Sequence, residues 1–202
     1  MKIKLSDIPV VLLAAGDSKR MGIPKGLLEY KGEPFILAQF ANLEKMGFHK
    51  ISIVLGKSKE QYFDKVPDIK DYKIEINPDP DKGVFSSIQC GLSNLSGHEI
   101  GIFILPIDVP CPKKYVWKQM VNAMNSSDVS VVVPSFEGKK GHPVLLSSEF
   151  KDYILTLNSE SRLDFEIRKQ ENQRKVKIIS IKDSTILLNL NTIEEWDSFK
   201  VI

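Results

Sequence analysis

The chain has 202 residues, 42% of them hydrophobic, a length and composition that predict one well-cored domain over residues 1–202. Lys and Arg total 28 against 26 Asp and Glu, so the net charge of +2 gives no overall electrostatic reason for a nucleic-acid or membrane partner, and any anion binding must be local. No stretch approaches the ~20 apolar residues of a membrane span, and Cys90 and Cys111, far apart and without a Cys/His cluster, suggest neither a disulfide framework nor a zinc site. The reading is a soluble cytoplasmic chain with reduced, packed cysteines.

Short apolar runs rich in β-formers alternate with segments of helical spacing, the pattern of a mostly parallel sheet with helices on both faces. The first run, IPVVLLAA (8–15), reads as a buried strand. Its apolar part is too short for a signal peptide and leads into a charged loop. That loop holds Gly16 and Gly22 with the cations Lys19, Arg20 and Lys25. Glycines let the backbone approach a ligand closely, and cations with backbone N–H groups can neutralise a polyphosphate. The exit of the first strand of an open α/β sheet is also where such ligands bind. Neither G-x-x-x-x-G-K-[ST] nor G-x-G-x-x-G occurs here, which disfavours a P-loop kinase or GTPase and an NAD-binding module. Spacing alone also fits an ordinary βα loop with solvated lysines.

A helix over 33–47 follows, with Phe35, Ile36, Phe40, Leu43 and Met46 on one face and Gly47 as its stop. Strands over 50–56 and 72–77 flank a helix at 58–65, and a further helix spans 84–95. Before it, Gly83 permits a tight turn; Ser86 and Ser87 at its start offer hydroxyls and free N–H groups to a phosphate or base, or simply cap the helix. The run IGIFILPI (100–107) ends at Asp108. A carboxylate at the C-terminal end of a buried strand stands where ligands bind and suits Mg2+, although a turn before Pro110 would use aspartate as well.

A helix at 112–125 and a strand at 128–134 lead through Glu137 and Gly138 to GHPVLLSS (141–148), an expected antiparallel strand. His142, framed by Gly141 and Pro143 and preceded by Lys139 and Lys140, is a candidate contact for an acceptor phosphate; the other reading is a hairpin turn. Two helices, a strand at 175–181 and a terminal helix at 192–199 complete the chain, with Asn191 or Thr192 capping the last helix. No linker, repeat or low-complexity tract interrupts the alternation.

The segment LLAAGDSKRMGIPKGLLEYKG (12–32) resembles the signature loop of the MobA-like nucleotidyltransferases, L-A-[AG]-G-x-S-x-R-M-G-x-x-K-x-L-L, a family that includes the molybdenum cofactor cytidylyl- and guanylyltransferases. Leu13, Ala14, Ala15, Gly16, Ser18, Arg20, Met21, Gly22, Lys25, Leu27 and Leu28 match it. Three further segments are similar in the expected order. NPDPDKGVFSSIQCGL (77–92) resembles the nucleotide-binding stretch of the cytidylyltransferase branch, IFILPIDVP (102–110) resembles the L-x-D-x-P metal motif, and NLNTIEEW (189–196) resembles N-x-N-T-P-E-[DE]-L, with Ile193 in place of the proline.

The resemblance implies a Rossmann-like nucleotidyltransferase. The loop would wrap the triphosphate, with Arg20 and Lys25 on phosphates, and Asn77, Gly83, Ser86 and Ser87 would hold the nucleotide. Asp108 and the side-chain carbonyl of Asn191 would bind Mg2+, and Arg20, Lys25 and Asp108 would be catalytic. His142 matches a G-H-P element that borders the acceptor site. Ala14-Ala15 with Ser86-Ser87 implies CTP as donor, while the Asn189-x-Asn191 ending leans to GTP. The implied acceptor is a phosphorylated small molecule such as molybdopterin. SESRLDFEIRKQ (159–170) departs from the G-D-x-G-A-R of the cytidylyltransferases where the acceptor would be read, so a sugar-phosphate or other small-molecule transferase, or a nucleotide binder without turnover, stays open.

Overall fold

The structure is a computed structural model and describes residues 3–18, 21–97, 99–125 and 128–200. In chain order the elements are β1 (Val10–Ala14), β2 (Glu29–Tyr30), β3 (Glu33–Pro34), α1 (Phe35–Met46), β4 (Ile51–Leu55), α2 (Lys59–Lys65), β5 (Lys73–Ile76), α3 (Val84–Ser93), β6 (Ile102–Pro106), α4 (Lys114–Met124), β7 (Val131–Phe136), β8 (Lys139–Lys140), β9 (Val144–Leu146), α5 (Ser148–Thr156), α6 (Leu163–Asn172), β10 (Val176–Ser180) and α7 (Ile193–Lys200).

The strands of the central sheet lie in the order β10-β7-β9-β6-β1-β4-β5. All run parallel except β9, which is antiparallel to both β6 and β7, while β8 adds a short antiparallel step on β7. The mostly parallel α/β fold with one inserted antiparallel strand is therefore as expected. The β7–β8 turn passes through Glu137 (φ 48°) and Gly138 (φ 77°), the paired left-handed residues a two-residue hairpin requires.

Continuous apolar runs serve strands that are covered on both faces. In β1, Val10, Leu12 and Ala14 enter one core with Phe35 and Phe40 of α1, Trp117 and Met120 of α4 and Trp196 of α7. Val11, Leu13 and the adjoining Ala15 enter the other core with Phe85 and Ile88 of α3, Phe150 and Ile154 of α5 and Ile167 of α6. Gly91 lets α3 approach the sheet: a Cβ there would lie 2.3 Å from Val11 Cγ1 and 2.8 Å from Val54 Cγ2. Gly47 ends α1 in the left-handed region (φ 100°), its N–H donating to the carbonyls of Glu44 and Leu43.

The helix expected from residue 33 begins at Phe35, because Glu33 and Pro34 instead pair with Glu29 and Tyr30 in a small ribbon closed by Lys31 and Gly32, both at positive φ. The strand expected at 128–134 is displaced to Val131–Phe136, and its last residues carry the β8 pairing. Among the described residues, no helix is long and apolar enough to cross a membrane.

The chain builds from β1 outward to β4 and β5, then crosses through α3 to place β6 on the other side of β1. That reversal opens a crevice beyond the C-terminal ends of β1 and β6, the position at which open α/β sheets bind ligands.

Candidate active site

Lys25, Asp108 and Asn191 meet at this crevice. The Lys25 ammonium donates to Asp108 Oδ2 at 2.7 Å and to Asn191 Oδ1 at 2.6 Å. The side chains of Lys25 and Asp108 are only 14% and 20% exposed, so solvent screens the pair weakly. Lys25 stands on a one-turn 3-10 helix (Lys25–Leu27), and its backbone N–H donates to Ser18 Oγ at 3.2 Å, tying the turn to the loop after β1. Tyr62 of α2 packs beneath: a Cβ on Gly26 would lie 2.8 Å from Tyr62 Oη, so the glycine is what lets the turn rest on the ring.

Asp108 follows β6 in a turn closed by Val109 N–H on Pro106 O at 3.1 Å. Its neighbours are clamped by Gln39 of α1, which is 1% exposed: the Gln39 amide donates to Val109 O at 2.8 Å and accepts from Cys111 N–H at 2.9 Å. Asn191 is brought in by Leu190, whose N–H donates to Asp108 O at 2.9 Å. The cap of α7 is Thr192, which accepts from Glu195 N–H while the Glu195 carboxylate accepts from the N–H groups of Thr192 and Asn191. Thr192 thereby frees the Asn191 side chain for Lys25.

A second group forms at the start of α3. Gly83, at φ 97° and ψ −174°, takes a backbone conformation reserved for glycine. Asn77 is buried and donates to Ser86 Oγ at 2.9 Å and Ser87 Oγ at 3.0 Å; Ser86 in turn donates to Gly83 O at 2.8 Å. Asn77, Gly83 and Ser86 thus hold the turn, and of the four residues expected here Ser87 is the one that lines the cavity.

Two cavities share the crevice. One of about 280 Å³ is lined by Leu13, Ala14, Ala15, Gly16, Ser18, Lys25, Ser87, Asp108 and Asn191, bringing most of the sequence-identified residues together. A neighbouring cavity of about 570 Å³ shares Leu13, Val84, Pro106 and Asp108 with it and extends past Lys140, His142, Asp164 and Arg168. Val84, 67% exposed, is an apolar residue standing at the junction of the two. Burial pushes the His142 imidazole below its ordinary pKa, against the opposing pull of the Asp108 carboxylate, and His142 Nδ1 is buried without a hydrogen-bond partner. Arg20 and Lys19 lie outside the described residues.

Sequence reasoning missed Gln39, Tyr62, Val84 and Gly56. A Cβ on Gly56 would lie 2.5 Å from Ala15 O, so this glycine lets the exit of β4 close against that of β1. Among the described residues no group of three or more His, Cys, Asp or Glu side chains is placed to hold a metal. Asp108 and Asn191 nonetheless offer two hard oxygens already converging on one cation, and Mg2+ commonly takes one or two protein oxygens and completes its shell with water and substrate phosphates.

The family described as the MobA-like NTP transferase domain matches residues 10–175. Nicotine blue oxidoreductase of Paenarthrobacter nicotinovorans is 24% identical over 202 residues, covering 94% of this chain and 96% of that protein. Molybdenum cofactor guanylyltransferase of Pseudomonas fluorescens is 36% identical over 115 residues, 54% of this chain and 53% of that one. The bifunctional protein GlmU of Acholeplasma laidlawii is 26% identical over 190 residues, and although 90% of this chain is matched, the likeness spans only 40% of GlmU. The solved structure of Rv0371c from Mycobacterium tuberculosis has the same fold, with a TM-score of 0.79 at 19% identity over 99% of this chain and 100% of that one. A structure of the same mycobacterial protein in complex with manganese has a TM-score of 0.74 at 18% identity, covering 96% and 98% of the two chains.

Proposed function

The chain belongs to the family of MobA-like NTP transferase domains, and from that premise we propose that it transfers a nucleoside monophosphate, CMP from CTP, to a phosphorylated small-molecule acceptor such as molybdopterin. The observation that carries this reading is the meeting of Lys25, Asp108 and Asn191 at the mouth of the crevice, beside the Gly16–Ser18 loop.

The smaller cavity takes the triphosphate. Leu13, Ala14, Ala15, Gly16 and Ser18 border it from the β1 loop, Ser87 from the α3 side, and Asn77, Gly83 and Ser86 support that side by holding its turn. Lys25 and Arg20 supply positive charge to the polyphosphate. Mg2+ at Asp108 and Asn191 would supply charge neutralisation at the phosphate oxygens. The manganese complex of the mycobacterial structure supports a divalent cation in this fold.

An oxygen of the acceptor phosphate forms a bond to the α-phosphorus, the bond from that phosphorus to the oxygen bridging it to the β-phosphate breaks, and pyrophosphate leaves with the electron pair. No general base is required, because the acceptor oxygen is already anionic; positioning and charge neutralisation do the catalysis. The larger cavity takes the acceptor. His142, whose imidazole burial holds below its ordinary pKa, offers a neutral ring rather than charge, and Lys140 and Arg168, which line this cavity, are cations it offers to the acceptor phosphate.

CTP is favoured by Ala14 and Ala15 together with Ser86 and Ser87. GTP is the second reading, favoured by the Asn189-x-Asn191 ending and by the guanylyltransferase relative. Pyrophosphate release in the presence of Mg2+, measured with CTP, GTP, ATP and UTP in turn and with or without molybdopterin, tests the proposal. Release that needs CTP and molybdopterin together supports it; tight nucleotide binding without release under any condition would favour a nucleotide-binding protein of the same fold.

A further inference from the structure

We infer that Lys25 is a built-in placeholder for the divalent cation, so that metal enters the site only when a nucleotide's phosphates draw Lys25 away. The inference rests on the proposed assignment of Asp108 and Asn191 as metal ligands. Its basis is the location of one nitrogen: Lys25 Nζ lies 2.7 Å from Asp108 Oδ2 and 2.6 Å from Asn191 Oδ1, in contact with both oxygens that would ligate the metal. A Mg2+ bound to the same two oxygens at about 2.0–2.1 Å would compete for the place the ammonium fills and would meet a weakly screened positive charge beside it. The two cations therefore exclude each other.

The seat is a prepared one. Ser18 Oγ and Tyr62 hold the Lys25 turn from two sides, Leu190 holds Asn191 against the Asp108 backbone, and Thr192 keeps the Asn191 side chain off the helix end. An ammonium filling the site satisfies the acceptor oxygens and offsets the Asp108 charge in a partly buried place, where an unpaired carboxylate is less well solvated than at the surface. A polyphosphate in the smaller cavity, which Lys25 also lines, offers the ammonium stronger anionic acceptors. As Lys25 turns to it, Asp108 and Asn191 are released to the metal. Binding of nucleotide and metal is then mutually reinforcing, and by linkage each raises the affinity of the other by the same factor.

The test is Mn2+ binding by the full chain, followed through the electron paramagnetic resonance signal of free Mn2+, with and without a non-hydrolysable CTP analogue. The wild type is expected to bind Mn2+ at least tenfold more tightly when the analogue is present. Lys25→Met, which keeps the stem and removes the charge, is expected to bind Mn2+ at least tenfold more tightly than the wild type when no nucleotide is present, and Asp108→Asn in that background is expected to abolish the gain. Thermal melting of each variant checks folding and gives a second reading: Mn2+ alone should raise the melting temperature of Lys25→Met more than that of the wild type. Nucleotide-dependent Mn2+ binding by the wild type with no gain in Lys25→Met would overturn the placeholder role while leaving the metal site intact. No Mn2+ binding by either protein, even with nucleotide, would overturn the metal site itself and the inference with it.

Discussion

The N–H of Leu190 donates to the carbonyl of Asp108 across 2.9 Å, and through this bond the segment before the last helix is laid along the exit of β6. The consequence is that Asn191, distant in sequence, presents its side-chain oxygen to the same ammonium as Asp108 does. On the proposed function, the removal of any one of these three residues should be felt in turnover. Lys25→Ala, Asp108→Ala and Asn191→Ala are each expected to lower kcat by roughly 10²-fold or more, the scale typical of lost transition-state electrostatics. Steady-state kinetics against CTP and acceptor check this, and near-normal turnover in the Lys25 or Asp108 variant would remove that residue from the chemistry.

Gln39 holds the turn that carries Asp108 by two hydrogen bonds, to Val109 O and from Cys111 N–H. Gln39→Leu would leave both backbone groups without partners in a buried setting, at a cost on the order of 2–4 kcal/mol. Urea unfolding should show the midpoint displaced downward, with kcat reduced as Asp108 loses its support. An unchanged midpoint would mean that the clamp contributes nothing.

Gly83 tests a conformational requirement apart from any clash, since a Cβ there would meet nothing within 4 Å. Its φ of 97° with ψ −174° is nevertheless strained for any other residue. Gly83→Ala should cost roughly 1–3 kcal/mol of stability and weaken nucleotide binding, because the turn it closes supports Ser86 and Ser87. Calorimetric titration of CTP beside a melting curve separates the two effects; unchanged values for both would show that the turn tolerates a side chain.

His142 links stability to pH in a definite direction. Burial depresses its folded-state pKa, so the unfolded chain binds the proton more readily. The contribution is present in full above the unfolded value of about 6.5 and is lost as the pH falls below it toward the depressed folded value. Melting temperatures of the wild type and His142→Gln at pH 7.5 and pH 5.5 should show the wild type losing more on acidification. An equal loss in both would exclude His142 as the titrating group. The same variant should raise the acceptor KM while leaving that for CTP nearly unchanged.

Much of this molecule is legible in its sequence, for physical reasons that also mark the limits. The runs VVLLA and FILP are apolar without interruption, and ISIVL is broken only by Ser52, because both faces of the parallel strands are covered, and the glycine after α1 announces its end. Residue types suited to phosphate and metal could be found one by one in local motifs. Their assembly could not: Lys25 and Asn191 are 166 residues apart, and their contact exists only because the sheet gathers strand ends on one side. Gln39 escaped notice because a polar residue in an amphipathic helix ordinarily faces water, whereas here it fills the gap beneath a turn that needs both a donor and an acceptor. The position of β9 between β6 and β7 was likewise hidden, since strand partners are chosen by packing rather than by local pattern.

The most direct test of the account is the fate of the α-phosphorus. The protein is incubated with Mg2+, molybdopterin and CTP labelled at that position, and the products are separated. The account predicts label in the acceptor product in one-to-one proportion with pyrophosphate released, and transfer by Lys25→Ala slower by roughly 10²-fold or more. Orthophosphate as the leaving product, or label that stays with the free nucleotide across phosphorylated acceptors, would contradict it.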